Sequence, residues 1–371
     1  MRTLAQLNPR FIVFSAEPPT VPLTPVKVTI TDIATVVNVS PTTVSRALKN
    51  DSRITPEVRT KVKNAAQKLG YRPNLMARAL VSSRTHAIGY IVDNLSWSFF
   101  SELAEGIQKA AESFHYSSYI HSSLKHPENE RQGIESLLSR GVEGILISPT
   151  EAKENLEIIQ DLQAQKFPLV LLSDIEELEV DKVVVDNYAG AYRAMEHLHS
   201  LGHRKIMYIG PAENGTIKTQ RLRAYHSYIE RHQLAESKGL LFCEENDPLY
   251  GYRVVRQVMK TKQRPTAIFA HNDTLALGVY RGLYEMGFKI PDDISVVGYD
   301  DLPSCEFVHP PLASVGTPLA ELAAIAVSLL MERIEQFNSE GFKTGTAAVR
   351  QKIALNPKLV VRQSTGKPPA A

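Results

Sequence analysis

The chain has 371 residues, 42 Lys and Arg against 40 Asp and Glu, a formal net charge of +2 and two cysteines. Such a length accommodates a small domain and two lobes of ordinary size. Two cysteines, Cys243 and Cys305, exclude a disulfide framework and point to a reducing compartment. The near-balance of charge hides a division, since residues 27–84 carry a net +8, residues 1–26 a net +1 and residues 85–371 a net −7. A basic head on an acidic body suits a headpiece that neutralises phosphates, with a body that does not touch them. A solvated basic helix face is the alternative.

Residues 1–25 contain prolines 18, 19, 22 and 25, and the run FIVFSA is too short for a membrane span. Asn8, Pro9 and Arg10 interrupt any secretory signal. The expectation here is a disordered extension. From Val28 the pattern changes. Ile30, Ile33, Ala34 and Val37 recur at helical spacing, which predicts a helix over 31–37. Asn38 tolerates a left-handed turn, Val39 offers an anchor between helices, and Ser40 with Pro41 starts a second helix. Val44, Ala47 and Leu48 form the inner stripe of that helix, leaving Pro41, Thr42, Thr43, Ser45 and Arg46 on its outward side. Two short helices joined by a tight turn make a helix-turn-helix, and its outward residues are candidates for a DNA groove; a generic helical hairpin is the competing reading. A third helix runs from Thr55 and Pro56 to Leu69, with Val58, Val62, Ala65, Ala66 and Leu69 inward and Arg59, Lys61, Lys63 and Lys68 outward. Pro73 and Asn74 then end it and can start a short helix over 75–80.

Beyond residue 84, the strand-like runs AIGYIVD, EGILIS, PLVLLSD, KVVVD, KIMYIG, TAIFAHND and ISVVGYD alternate with helical stretches. Continuous apolar runs of this kind suit parallel sheets covered on both faces, with ligands at the carboxyl ends of the strands. Asn272 and Asp273 end one such strand, and Asp300 and Asp301 another. Helix or turn capping is the alternative role for these residues, and the favoured one for Asp273. His197, His199 and His203 invite a metal reading, but the first two diverge on a helix, so solvent-facing or capping roles and no metal are expected. No GxxxxGK[ST], HExxH or GxSxG string is present, so neither a catalytic group nor a cofactor is expected.

The strings TVSRALKN, YRPNLMARAL and DISVVGYDDLP resemble the LacI/GalR family of bacterial transcription regulators, and the likeness runs from Val28 to about Thr365. That resemblance implies an α/β fold with an N-terminal helix-turn-helix DNA-binding head over 26–72 and a hinge helix and linker over 73–84. A periplasmic-binding-protein-like, two-lobe, doubly wound body for effector binding and dimerisation would follow over 85–365. The chain would cross between lobes near 186–190 and 315–318, finish on a closing strand in IALNPKLVVRQST with Arg362, Ser364 and Thr365, and leave 366–371 as a disordered tail. The DNA-binding residues it implies are Thr29, Ser40, Pro41, Thr42, Thr43, Ser45, Arg46, Arg53, Asn74, Ala77 and Leu80, with Leu80 wedging into the minor groove.

For the effector, the resemblance implies contacts from Asn272 and Asp300 and from Arg221 in KTQRLRAY, with Arg223 a surface charge. SWSFFSEL departs from the family's Asn-Pro-Phe-Phe and brings the only tryptophan, Trp97, to the cleft mouth. Phe99 is then read as cleft wall and Phe100 as packing. Aromatic faces stack on sugars or on bases, so both ligand classes stay open. The expected whole is a cytoplasmic repressor, dimeric or tetrameric, on palindromic double-stranded operator DNA, controlled by a small effector, foremost a sugar. A solute-binding protein of a sugar transporter would share the lobes but not residues 28–80. A sugar-processing enzyme would need an acid/base partner that Asp300 and Arg221 lack.

Overall fold

The computed structural model describes residues 28–72, 84–149, 155–175, 177–211, 216–234, 237, 241–244, 247–262, 264–340 and 349–369. Two compact units divide at Ser83 and Arg84. The expectations for residues 1–25 and for Asn74, Ala77 and Leu80 lie outside the described residues. Arg84, read from the sequence as linker, belongs to the body, where its Nε bonds Glu143 at 2.7 Å.

The head consists of α1 (Ile30–Val37), α2 (Pro41–Leu48) and α3 (Pro56–Lys68). Each helix starts where a hydroxyl can accept an otherwise unpaired backbone N–H: Thr29 from Asp32, Ser40 from Thr43 and Thr55 from Val58. Pro41 and Pro56 stand in first turns, where the missing donor matters least. Asn38 makes the turn in a left-handed conformation, φ 56°. Ile33, Ala34, Val44, Ala47, Val62, Ala65 and Ala66 close a single core, so the orientation of α2 is set by the stripe it buries. Arg59 departs from the outward reading. Its Nη2 turns back to the Asp51 and Ile54 carbonyls at 3.0 Å each and ties down the loop between α2 and α3.

In the body, β1 (Ala87–Val92), α4 (Ser98–Ser113), β2 (Ser117–Ser122), α5 (Pro127–Ser139), β3 (Gly144–Ile147), α6 (Leu156–Ala164), β4 (Leu169–Leu171) and β5 (Asp181–Val185) build the first lobe. The second holds α7 (Asn187–Ser200), β6 (Ile206–Pro211), α8 (Thr216–Arg231), β7 (Leu241–Glu244), α9 (Pro248–Val258), β8 (Ala267–Ala270), α10 (Asp273–Glu285), β9 (Ser295–Asp300), α11 (Ser304–Phe307) and β10 (Ala313–Gly316). The chain then returns through α12 (Leu319–Glu340) and ends on β11 (Lys352–Leu355) and β12 (Lys358–Val360). Sheet order is β11-β5-β4-β3-β1-β2 in the first lobe and β12-β10-β9-β8-β6-β7 in the second. All pairings are parallel except β10 with β12. Apolar helix faces cover both sides of each sheet. Two close approaches fix the packing. A Cβ on Gly278 of α10 would stand 1.8 Å from the Pro248 carbonyl of α9, and Arg333 of α12 forks onto buried Asp181 of β5 at 2.8 and 3.0 Å.

The closing segment corrects the sequence reading. It forms two strands in different sheets, β11 beside β5 and β12 beside β10, so the chain crosses a third time between Leu355 and Lys358. Each crossing leaves from the carboxyl end of a strand, so the carboxyl edges of the two sheets flank the crossings. The tail is corrected at its start: Gly366 N–H donates to Ser295 Oγ at 3.0 Å, and the Gly366 carbonyl lies 3.0 Å from His203 Nε2. The three histidines are neither capping nor freely solvated. His203 is fully buried on Thr266, Ser295 and Gly366, His197 meets Thr365 Oγ1 at 2.9 Å, and His199 meets Tyr228 OH at 3.1 Å. Among the described residues no helix is long and apolar enough to cross a membrane.

Candidate functional site

On the head, Pro41, Thr42 and Arg46 are exposed, while Thr43 and Ser45 are half-buried. The Ser40 and Thr43 hydroxyls sit 2.9 Å apart, and Ser40 Oγ also accepts the Thr43 N–H, so both first serve the start of α2. Thr29 is similarly engaged: it exchanges hydrogen bonds with Asp32 in a capping box, and the Asp32 carboxyl is held below its ordinary range by the Thr29 backbone N–H. Arg46 makes no side-chain hydrogen bond or ion pair among the described residues. Arg53 does, with Asp51. Lys49 at the end of α2 and Lys61, Lys63 and Lys68 on α3 are exposed.

In the body, Arg221 reaches from α8 to the carboxyl edge of the second sheet. Its Nε donates to Asn187 Oδ1 at 2.9 Å, Nη1 to the His271 carbonyl at 2.6 Å and Nη2 to Asp300 Oδ1 at 3.0 Å. The guanidinium lies 3.5 Å above the Tyr299 ring centroid. A guanidinium has five donors, and three of Arg221's are used in these bonds among the described residues. Asp300 ends β9 at φ 105°, a backbone conformation that favours glycine and that Asp and Asn tolerate better than most. Its carboxyl is pushed up to about 6, mainly by burial; Arg221 opposes the shift and Glu102, on α4 of the other lobe, adds to it. The sequence-implied pair is thus brought together, as a buried bond within one lobe.

The capping assignments at the β8 end are reversed. Asn272 Oδ1 is the cap, accepting the Leu275 N–H at 2.9 Å. Asp273 is fully buried and accepts from Leu302 N–H at 2.8 Å and Ser314 Oγ at 2.6 Å. Burial first, and Asp300 second, push its carboxyl up to about 7. At the first lobe's edge, Trp97 is half-buried, stacks on Phe100 with centroids 6.2 Å apart, and carries the Lys125 ammonium 3.8 Å over its ring. Phe99 and Phe100 meet edge to face, and both pack against that lobe's core, so the division into wall and packing does not hold.

Sequence reasoning missed several polar groups at these edges. Ser122 Oγ at the end of β2, Tyr299 OH and Thr317 Oγ1 just after β10 are buried with no hydrogen-bond partner among the described residues. Thr317 N–H also donates to the Asp300 carbonyl at 3.2 Å, which joins the second crossing to the Arg221–Asp300 pair. Beneath Arg221, Tyr208 OH and His271 Nδ1 pair at 2.7 Å. Only the edge position of Thr317, beyond the DISVVGYD strand, could have signalled its place.

Residues 29–74 match the model of bacterial regulatory proteins, lacI family, and residues 195–365 match a periplasmic binding protein-like domain. The HTH-type transcriptional regulator DegA of Bacillus subtilis (strain 168) is 32% identical over 342 residues, covering 91% of this chain and 98% of that protein. The chain belongs to the lacI family. Members of this family match in structure too. A lac repressor dimer bound to operator and the anti-inducer ONPF superposes with a TM-score of 0.80 at 26% identity, covering 92% of this chain and 99% of that one. A LacI family transcriptional regulator from Enterococcus faecium with bound ribose matches with a TM-score of 0.65 at 28% identity over 76% and 98% of the two chains. This family member is accordingly a transcription regulator with a helix-turn-helix head on a two-lobe α/β body.

Proposed function

We propose that this regulator is a dimeric repressor whose two heads place the Pro41–Arg46 faces in successive major-groove half-sites of a palindromic operator, and whose hold depends on a small polyhydroxylated effector between the lobes, foremost a sugar. The observation that carries the effector reading is the buried Arg221–Asp300 pair at a strand carboxyl edge, with Thr317, whose hydroxyl has no partner among the described residues, bonded through its N–H to the Asp300 carbonyl. Vicinal hydroxyls can accept from a guanidinium while donating to a carboxylate, and such charge-assisted bonds are worth about 1.5–3 kcal/mol each. The ribose-bound relative supports the same ligand class. Coupling would run through lobe closure, since effector and operator each favour one state of the body. The head argues against a transporter's solute-binding protein.

A thermal-shift screen over sugars and nucleobases tests this, because a ligand that binds only folded protein raises the melting temperature by mass action. A sugar hit that Arg221→Ala abolishes, with operator binding kept, is the expected result. Equal affinity of the hit for wild type, Arg221→Ala and Asp300→Ala by calorimetry would remove the pair from the effector site. A hit among the nucleobases alone would replace the sugar reading.

A further inference from the structure

The loop between α2 and α3 holds a charge arrangement that groove reading by α2 does not use. Asp51 Oδ1 accepts from the backbone N–H and the Nε of Arg53, each at 3.0 Å, and Oδ2 accepts from Nη2 at 2.7 Å. Two parallel bonds from a guanidinium to a carboxylate have the same fork geometry that a guanidinium offers a DNA phosphate. The Arg53 side chain is 69% exposed and that of Asp51 18%. The two ends of the pair also differ in freedom. Arg59 donates to the Asp51 carbonyl, and Asp51 N–H donates to the Arg46 carbonyl at 3.1 Å, so the Asp51 backbone is tied to the end of α2. The long, 69% exposed Arg53 side chain is the freer partner. An exposed ion pair is weak enough to be exchanged for another anion.

We propose that Asp51 is a positioning residue that holds Arg53 in competition with the DNA backbone. Arg53 reaches a phosphate only by giving up Asp51, and the carboxylate, whose backbone is held and whose Oδ1 also accepts the Arg53 N–H, then stands beside that phosphate as a like charge. The pair therefore subtracts from binding to DNA in general. A phosphate contact carries no sequence information, so the pair weakens operator and random sequence alike and leaves discrimination to the face of α2. The proposal rests on the reading of the head as a DNA-binding surface.

The test uses the full chain and a fluorescent random-sequence duplex, titrated between about 50 and 200 mM salt. Asp51→Asn is expected to tighten binding about three- to tenfold at the low end and to steepen the plot of log affinity against log salt by roughly 0.9, the release of one further counterion. In an Arg53→Gln background the same change should leave the slope as it was. Glu57→Gln, which removes an exposed acid from the first turn of α3, measures the general effect of losing one negative charge, and its slope should equal that of wild type. Equal tightening by Asp51→Asn with and without Arg53, or an unchanged slope in the presence of Arg53, would overturn the proposal. A wild type that fails to bind the duplex at low salt would overturn the DNA reading beneath it. Circular dichroism of each variant separates these outcomes from a misfolded head, and Asp51→Ser, which also frees Arg53, repeats the measurement if Asp51→Asn does not fold.

Discussion

Replacing Asp300 by Asn is expected to stabilise the body while it weakens effector sensing. Two effects compete at this residue. Removing one member of a buried ion pair ordinarily costs about 3–5 kcal/mol, because the other charge is left alone. Here the Asp300 carboxyl is pushed up to about 6 from an ordinary 3.8, so burial outweighs what Arg221 returns. At about 1.4 kcal/mol per tenfold change, ionising Asp300 costs the folded body about 3 kcal/mol relative to the unfolded chain. The sign follows from linkage: a raised folded value means stability that is complete below about pH 4 and is lost as the pH rises to about 6. Asn removes that loss, keeps an oxygen for Arg221 Nη2, and tolerates the left-handed backbone. Arg221 also keeps Asn187, the His271 carbonyl and the Tyr299 ring. Melting of Asp300→Asn at pH 7.5 should therefore rise by roughly 5 °C, corresponding to about 1–3 kcal/mol, and should match wild type near pH 4. A lower melting temperature than wild type at pH 7.5 would refute this reasoning and make the pair a net stabiliser.

Asp273, pushed up to about 7, follows the same sign over a wider range: its contribution is complete below about pH 4 and lost by about pH 7, so Asp273→Asn should flatten the pH dependence of body melting across that window. An unaltered slope would count against it. Ser40→Ala removes the cap of α2 and should cost the head about 1 kcal/mol, read as roughly fivefold faster amide exchange across 41–48. Gly278→Ala drives a methyl into the Pro248 carbonyl and should lower body stability by about 1–3 kcal/mol in urea melts, whereas a neutral result would mean that α9 and α10 can part.

The head was legible because its determinants are local: caps, a turn residue and a stripe of small apolar side chains lie within a few residues of one another. Buried strands such as Ala87–Val92 were legible as unbroken apolar runs. The strand Ser117–Ser122 was not, since it lies at a sheet edge with most side chains at least partly exposed and carries Ser, Tyr and His. The third crossing depends on two short strands finding partners more than forty residues away, which no local pattern encodes. The cap fell on Asn272 rather than Asp273, a shift of one residue at a helix start, the scale on which sequence patterns are least decisive. Arg221 and Asp300 were found through the family strings, but Ser122, Glu102 and Thr317 become visible only when the two sheets' carboxyl edges are in place. Arg59 and the three histidines were misjudged for one reason: polar side chains in helical repeats look solvated until the carbonyl or hydroxyl that holds them is seen.

The most direct test of the account is sequence-specific DNA reading by the face of α2. Full-length protein would be used to select from a pool of randomised duplexes, and the enriched sequence and a random duplex would then be titrated with wild type and Arg46→Ala. The account predicts enrichment of a palindrome, and a loss by Arg46→Ala of about 1–3 kcal/mol on that palindrome with far less on random DNA. Failure to enrich any sequence, or equal losses on both duplexes, would contradict it.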